Sequence, residues 1–142
     1  MIYYDLSVLM LSGINEILII STPEDLPSYK RVLGDGSSFG VSLEYCIQPS
    51  PDGLAQAFIL GKKFIGNSNV SLALGDNIFH GNEFVNLIRS ADCITKGCTV
   101  LAYPVRDPKE YGVVKFDHSG NVIDIEEKPE LPPSQYAITG IS

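Results

Sequence analysis

Residues 16–47 read EILIISTPEDLPSYKRVLGDGSSFGVSLEYCI. The first six, EILIIS, are a short continuous apolar run of β type, the pattern of a strand buried on both faces. In TPEDLPSYKRVL, Asp25 stands where it can cap a helix that runs to about Leu33, and GDGSS breaks that helix. VSLEYCI, residues 41–47, alternates like a second strand. Strand, helix and strand in immediate succession predict a parallel pair, because the helix carries the chain back to the end of the sheet from which it started.

The same alternation extends in both directions. Upstream, Ile2, Leu6, Leu9 and Met10 have helical spacing, and Gly13 closes the segment. That start lacks a basic leader and carries Asp5, so it reads as a helix and not as a signal peptide. Downstream, LAQAFILGKKFIG is helix-like to about Gly66, and VSLALGD (70–76) predicts another buried strand. Gly81 to about Arg89 fits a helix, and CTVLAYPV (98–105) fits a fourth strand. The expected class is α/β, with a Rossmann-like, mostly parallel sheet and helices on both faces. After residue 110, YGVVKFD, HSGN and VIDIEEK read as a β-hairpin. No linker or internal repeat divides residues 1–142, which are expected to form one partial domain. The first element is a helix and the last residues are apolar and strand-like, so the expected sheet is incomplete at both ends.

The 142 residues are 44% apolar and 19% charged, with a formal charge of −7. That balance argues against nucleic acid or an anionic membrane as the main partner, since both need a basic face. A small phosphorylated ligand stays compatible with it. No apolar run approaches the roughly 20 residues of a membrane span. Cys46, Cys93 and Cys98 form no CxxC pair. An odd count of this kind points to reduced, buried thiols and a cytoplasmic location.

In an open parallel sheet, ligands bind beyond the carboxyl ends of the strands. Three segments fall there. In QPSPDG (48–53), Pro49 and Pro51 fix the course of the loop. Gln48 offers a C=O and an NH₂ that match a base edge, and Gly53 leaves room for a flat ring. The competing interpretation is a proline-rich turn without a ligand. In LGDNIF, Asp76 follows the predicted buried strand and can hold Mg²⁺ beside a phosphate, or else cap the next helix. In IEEKPE, Glu127 can accept bonds from sugar hydroxyls and Lys128 can pair with a phosphate, or the charges are simply solvated. His80 and His118 have no partner at metal or triad spacing.

Taken together, QPSPDGLAQA, LALGDNIFHG, DPKEYGVVKFD and IEEKPELPPSQYAITG resemble the glucose-1-phosphate thymidylyltransferase family, bacterial sugar-nucleotide pyrophosphorylases. The resemblance covers essentially the whole chain. It implies a nucleotidyltransferase fold and the transfer of dTMP from dTTP to glucose 1-phosphate, giving dTDP-glucose and pyrophosphate on the route to dTDP-rhamnose. It implies Mg²⁺ as cofactor and a homo-oligomeric full-length parent. Gln48 and Gly53 then match the pair on the thymine edge, with Leu54 near the nucleoside. Asp76 matches a Mg²⁺ ligand and Asn77 lies close to the sugar. Tyr111 and Gly112 match the glucose-binding turn, Glu127 a ligand for glucose hydroxyls, and Lys128 the lysine on the sugar phosphate. Thr139 and Gly140 fall in the stretch that closes over the glucose. Residues 1–105 are expected to serve the nucleotide and residues 106–142 the sugar.

The departures are equally specific. The family's opening strand and GGxGTRLxP loop have no counterpart in this chain, and a second metal-binding aspartate lies beyond its last residue. Asp5 stands where the family commonly has proline. The chain is therefore expected to be an internal fragment with little or no turnover alone. Two alternatives remain open: a non-catalytic sugar-nucleotide-binding module, and a sister transferase that uses UTP or another sugar phosphate.

Overall fold

The computed structural model describes residues 1–50, 52–78, 82–91 and 97–140, with side chains throughout except at 82–85. Pro51, His80, Gly81 and Cys93, which figure in the sequence expectations, lie outside the described residues. The chain divides into two compact units. One comprises Leu6–Val70 and His80–Asp92; the other comprises Met1–Asp5, Ser71–Phe79 and Cys93–Ser142.

The first of these units takes most of helix α1 (Ile2–Leu11), then strand β1 (Glu16–Ser21), helix α2 (Leu26–Leu33) and strand β2 (Ser42–Ile47). β1 and β2 pair in parallel, from Glu16 opposite Ser42 to Ser21 opposite Ile47, as the opening stretch predicts. Ile17, Ile19 and Leu43 of the strands are buried, as are Leu6, Val8 and Leu9 of α1 and Leu26 and Leu33 of α2. Each such side chain removed from water stabilises the fold by about 1.5–3 kcal/mol.

Asp25 occupies the cap position of α2 but makes no capping bond from its side chain. Thr22 takes over that function: its Oγ1 accepts from the Asp25 N–H at 3.2 Å, and its carbonyl accepts from the Leu26 N–H at 3.1 Å. The turn after α2 needs a glycine at position 36. Its φ is +84°, and a Cβ there would lie 2.8 Å from the Val41 carbonyl oxygen. The helix expected over 54–66 is split at Gly61 into α3 (Ala55–Leu60) and α4 (Lys62–Ile65). A Cβ on Gly61 would stand 3.3 Å from Leu18 Cδ2, which shows how closely this break lies over β1. Helix α5 (Asn82–Ala91) completes the unit, and Arg89 donates to the Leu11 carbonyl at 2.7 Å.

The other unit is built on an antiparallel sheet ordered β3-β6-β4-β5, with β3 at Ala102–Pro104, β4 at Gly112–Phe116, β5 at Val122–Glu127 and β6 at Tyr136–Ile138. Val113, Val114 and Ala137 form its buried centre. Two strand expectations fail here. Within 70–76 only Ala73 is a bridge residue, and the strand expected over 98–105 shortens to three residues that run antiparallel to β6. An apolar run becomes a strand only where a neighbour completes its ladder. Among the described residues these segments find only short partners, such as the Gly140 carbonyl for the Leu74 N–H at 2.7 Å.

The expected hairpin is present as β4–β5. The Asp117 carboxylate holds its turn by accepting from the Ser119 and Asn121 N–H groups at 2.8 and 2.9 Å and from Asn121 Nδ2 at 3.0 Å. Among the described residues the architecture is α/β, with one parallel pair and one antiparallel sheet. Cys46 is half-buried and Cys98 exposed, so neither is the buried thiol that was expected. Among the described residues no helix is long and apolar enough to cross a membrane.

Candidate functional site

The loop after β2 holds the first group of candidate residues. The Gln48 N–H donates to the Ser21 carbonyl at 2.8 Å, so the β1–β2 pairing continues into the loop and fixes where Gln48 starts. Its half-buried side chain ends a chain of three polar groups. The Asp52 carboxylate accepts from Gln56 Nε2 at 2.8 Å and from the Ser50 hydroxyl at 2.5 Å. Gln56 Oε1 in turn accepts from Gln48 Nε2 at 2.5 Å. A carboxylate only accepts, so Gln56 must turn its NH₂ toward Asp52 and its carbonyl toward Gln48. Gln48 then gives one N–H of its NH₂ to Gln56 and keeps Oε1, an acceptor, and a second N–H outside that bond.

Gly53 is exposed, with φ +92° and open space where a Cβ would be, and Leu54 is exposed beside it. The loop thus brings Gln48, Gly53 and Leu54 onto one short segment. α3 is six residues long, and the N–H groups of Gln56 and Ala57 already serve the carbonyls of Gly53 and Leu54. The helix start therefore offers few open amides.

The remaining candidates lie in the other unit. Asn77 Nδ2 donates to Asp76 Oδ1 at 2.7 Å, which leaves Oδ2 of this exposed carboxylate available. Gly140 closes over the pair: a Cβ there would come within 2.7 Å of Asn77 Cγ and 2.9 Å of Leu74 Cβ. Thr139 directs both its N–H and its hydroxyl to the Leu101 carbonyl, at 2.8 and 2.9 Å, so its side chain is committed to the fold.

Gly112 stands opposite Glu127 across the hairpin, and Glu127 Oε2 would lie 3.2 Å from a Cβ on Gly112. Ile138 Cδ1 would lie 3.7 Å from the same point, so this hairpin end faces the end of β6. The Lys128 N–H donates to the Tyr111 carbonyl at 3.0 Å and draws Tyr111, Gly112, Glu127 and Lys128 together. Lys128 has φ +43°, a left-handed conformation that costs a non-glycine residue on the order of 1 kcal/mol. It lines an open hollow of about 560 Å³ with Lys109, Pro129, Glu130 and Leu131. Glu126 is engaged elsewhere, paired with Lys115 at 3.3 Å.

Asp5 was not among the expected site residues. Its side chain is buried, 6% exposed, and neither carboxylate oxygen has a hydrogen-bond partner. Burial pushes its carboxyl up; the positive charge at Met1 opposes this, and the negative charge of Asp76 adds a smaller push upward. A detectable signal was its spacing: Asp5 stands one turn before the buried Leu9, on the face that goes inside. Gln56 and Asp52 were likewise unassigned, although a polar side chain one turn into a helix can reach back to the loop before it.

Comparison with known proteins supplies independent information. The model of the nucleotidyl transferase family matches residues 1–141. A glucose-1-phosphate thymidylyltransferase of Neisseria gonorrhoeae is 57% identical over 99% of this chain and 49% of its own length. A glucose-1-phosphate thymidylyltransferase of Xanthomonas campestris is 55% identical over 99% of this chain and 48% of its own length. The chain thus spans about half the length of the curated relatives it matches. A Bacillus anthracis structure described as a glucose-1-phosphate thymidylyltransferase, solved with a sucrose, superimposes with a TM-score of 0.87 at 37% identity, covering 99% of this chain and 56% of that one. A UDP-glucose pyrophosphorylase solved with UDP-glucose gives 0.76 at 22% identity, over 99% of this chain and 62% of that one, which shows a shared fold.

Proposed function

This chain belongs to the nucleotidyl transferase family, and on that premise we propose that it carries base- and sugar-recognising parts of an enzyme that moves dTMP from dTTP to glucose 1-phosphate. The observation that carries this is the 57% identity, sustained over 99% of the chain, to a glucose-1-phosphate thymidylyltransferase. In that reaction a phosphate oxygen of the sugar attacks the α-phosphorus of dTTP. The bond to pyrophosphate breaks, and dTDP-glucose and pyrophosphate leave.

The residues divide by role. Gln48 takes the base edge with its fixed acceptor, Gly53 gives the ring access to the backbone, and Leu54 packs beside the nucleoside. Tyr111, Gly112, Glu127, Asn77, Thr139 and Gly140 shape the glucose site. Thr139 does so through its backbone position, since its hydroxyl is spent on Leu101. Lys128 brings its ammonium to the sugar phosphate; together with Asp76 it is assigned the catalytic role of positioning and charge compensation. In this scheme residues 1–105 serve mainly the nucleotide and residues 106–142 mainly the sugar.

The donor set near Asp76 suits a divalent cation: a carboxylate with one oxygen held by Asn77 and the other open, and a second, orphaned carboxylate at Asp5. Mg²⁺ is the ion proposed, because it takes one or two carboxylates and completes its sphere with water and phosphate oxygens. When bound, it offsets negative charge on the reacting phosphates. The full-length parent is proposed to be a homo-oligomer.

Calorimetry with dTDP-glucose tests the proposal. Binding heat is expected from the chain, weakened about ten-fold in Gln48→Leu, which removes the acceptor. An absence of heat with dTDP-glucose, UDP-glucose and dTTP alike would overturn it. Tighter binding of UDP-glucose than of dTDP-glucose would favour the sister transferase; Gln48 itself does not make that choice, since its acceptor meets the same N–H on thymine and uracil.

A further inference from the structure

Asp5 has two carboxylate oxygens inside the protein and no partner for either. A buried carboxylate needs a proton, a cationic side chain or a metal ion to be tolerated. Among the described residues the ion pair is Lys115–Glu126, and no cationic group stands within ion-pair distance of Asp5. Its surroundings point to the third option. Asp5 Oδ2 would be 4.0 Å from a Cβ on Gly75, so the oxygen faces the bare backbone next to Asp76. Asp76 has one oxygen fixed by Asn77 and the other open. Asp5 thus lies beside the Gly75–Asp76 backbone, and the negative charge of Asp76 reaches it; one carboxylate is buried and the other exposed. Among the described residues no group of three or more His, Cys, Asp or Glu side chains converges. The pair therefore suits an ion that fills the rest of its sphere with water and phosphate oxygens, the habit of Mg²⁺ and Mn²⁺.

We propose that Asp5 is a second protein ligand of the divalent cation held at Asp76, so that this chain supplies a two-carboxylate site. This rests on the assignment of Asp76 as a metal ligand. The two oxygens of Asp5 gain a cation in place of lost water, and the ion gains an anchor that sugar and nucleotide cannot displace.

Mn²⁺ is the probe, with free ion counted by electron paramagnetic resonance in the wild-type chain, in Asp5→Asn and in Asp76→Asn. Asn keeps the shape of Asp and removes the buried charge. Circular dichroism confirms folding, and thermal melts with and without Mn²⁺ provide a second readout. The expected result is Mn²⁺ bound by the wild type, at least ten-fold weaker binding in both variants, and a melting temperature of Asp5→Asn that is raised without metal and moved little by Mn²⁺. Wild-type affinity in Asp5→Asn, alongside lost affinity in Asp76→Asn, would overturn the role of Asp5 and leave that of Asp76 standing. A wild-type chain that binds no Mn²⁺ at millimolar concentration would remove both.

Discussion

Gln48 depends on a residue it does not adjoin in sequence. Its orientation is set by Gln56, and that of Gln56 by Asp52. Gln56→Leu keeps the volume and removes both bonds, so the Gln48 amide loses its fixed sense. The expected outcome is about ten-fold weaker binding of dTDP-glucose, equivalent to one hydrogen bond of roughly 1.4 kcal/mol, with an unchanged melting temperature. Calorimetry beside a thermal melt checks this; an equal loss in both would reduce Gln56 to a folding residue. At Gly140 the constraint is steric. Gly140→Ala would drive a methyl group into Asn77 and Leu74 and should destabilise the chain by about 1–3 kcal/mol, read from urea unfolding. At this scale the sequence was partly legible. Gln48 and Gly53 announced themselves through the prolines and glycine around them. Asp5 did not, because a single carboxylate in an apolar helix reads as an exposed position until its burial is known.

Among the elements, the parallel β1–β2 pair was legible because its strands, helix and turn signals are all local. Residues 70–76 were not, because a run such as VSLAL gains its ladder only from segments far away in sequence. The α3–α4 break falls at Gly61, inside a stretch whose spacing reads as one helix, because a single glycine does not by itself end a helical pattern. The hairpin was legible, and its turn yields a pH prediction. The side chain of Asn121, its N–H and the N–H of Ser119 all donate to the ionised Asp117 carboxylate and lower its pKa below the ordinary 3.8. A lowered acid contributes stability above the unfolded pKa and loses it as pH falls through the folded one. The turn is therefore intact at neutral pH and loosens below about pH 3.8. In an NMR titration the Ser119 and Asn121 amide shifts should move together in that acidic range, and Asp117→Asn should abolish the movement. Amides that titrate with a midpoint above 3.8 would contradict it.

For the whole molecule, the net charge of −7 discourages contact with other acidic surfaces. The exposed apolar surface works the other way. Val122, Ile123 and Ile125 are about half exposed on β5, an edge of the sheet, and Tyr103 is 67% exposed on β3 at the opposite edge. Open edges with apolar side chains recruit further strands. The average mass from static light scattering should rise with concentration in the micromolar range, and Ile123→Lys should suppress the rise; a constant monomer mass would disprove this. Composition alone gave no warning here, since 44% apolar content is ordinary and only the topology shows which side chains remain uncovered.

The Asp52–Gln56–Gln48 chain carries one further consequence. Because it begins at a group that can never donate, its polarity runs one way, and it fixes which side of the Gln48 amide carries the lone pair of Oε1. Cytosine, whose ring nitrogen at the matching position carries a lone pair of its own, would meet repulsion there. A thymine methylated at N3 would lose the N–H that the acceptor needs and would crowd it with a methyl group. If Gln48 meets the base as proposed, the choice among pyrimidines would be set by an aspartate that need never touch the nucleotide.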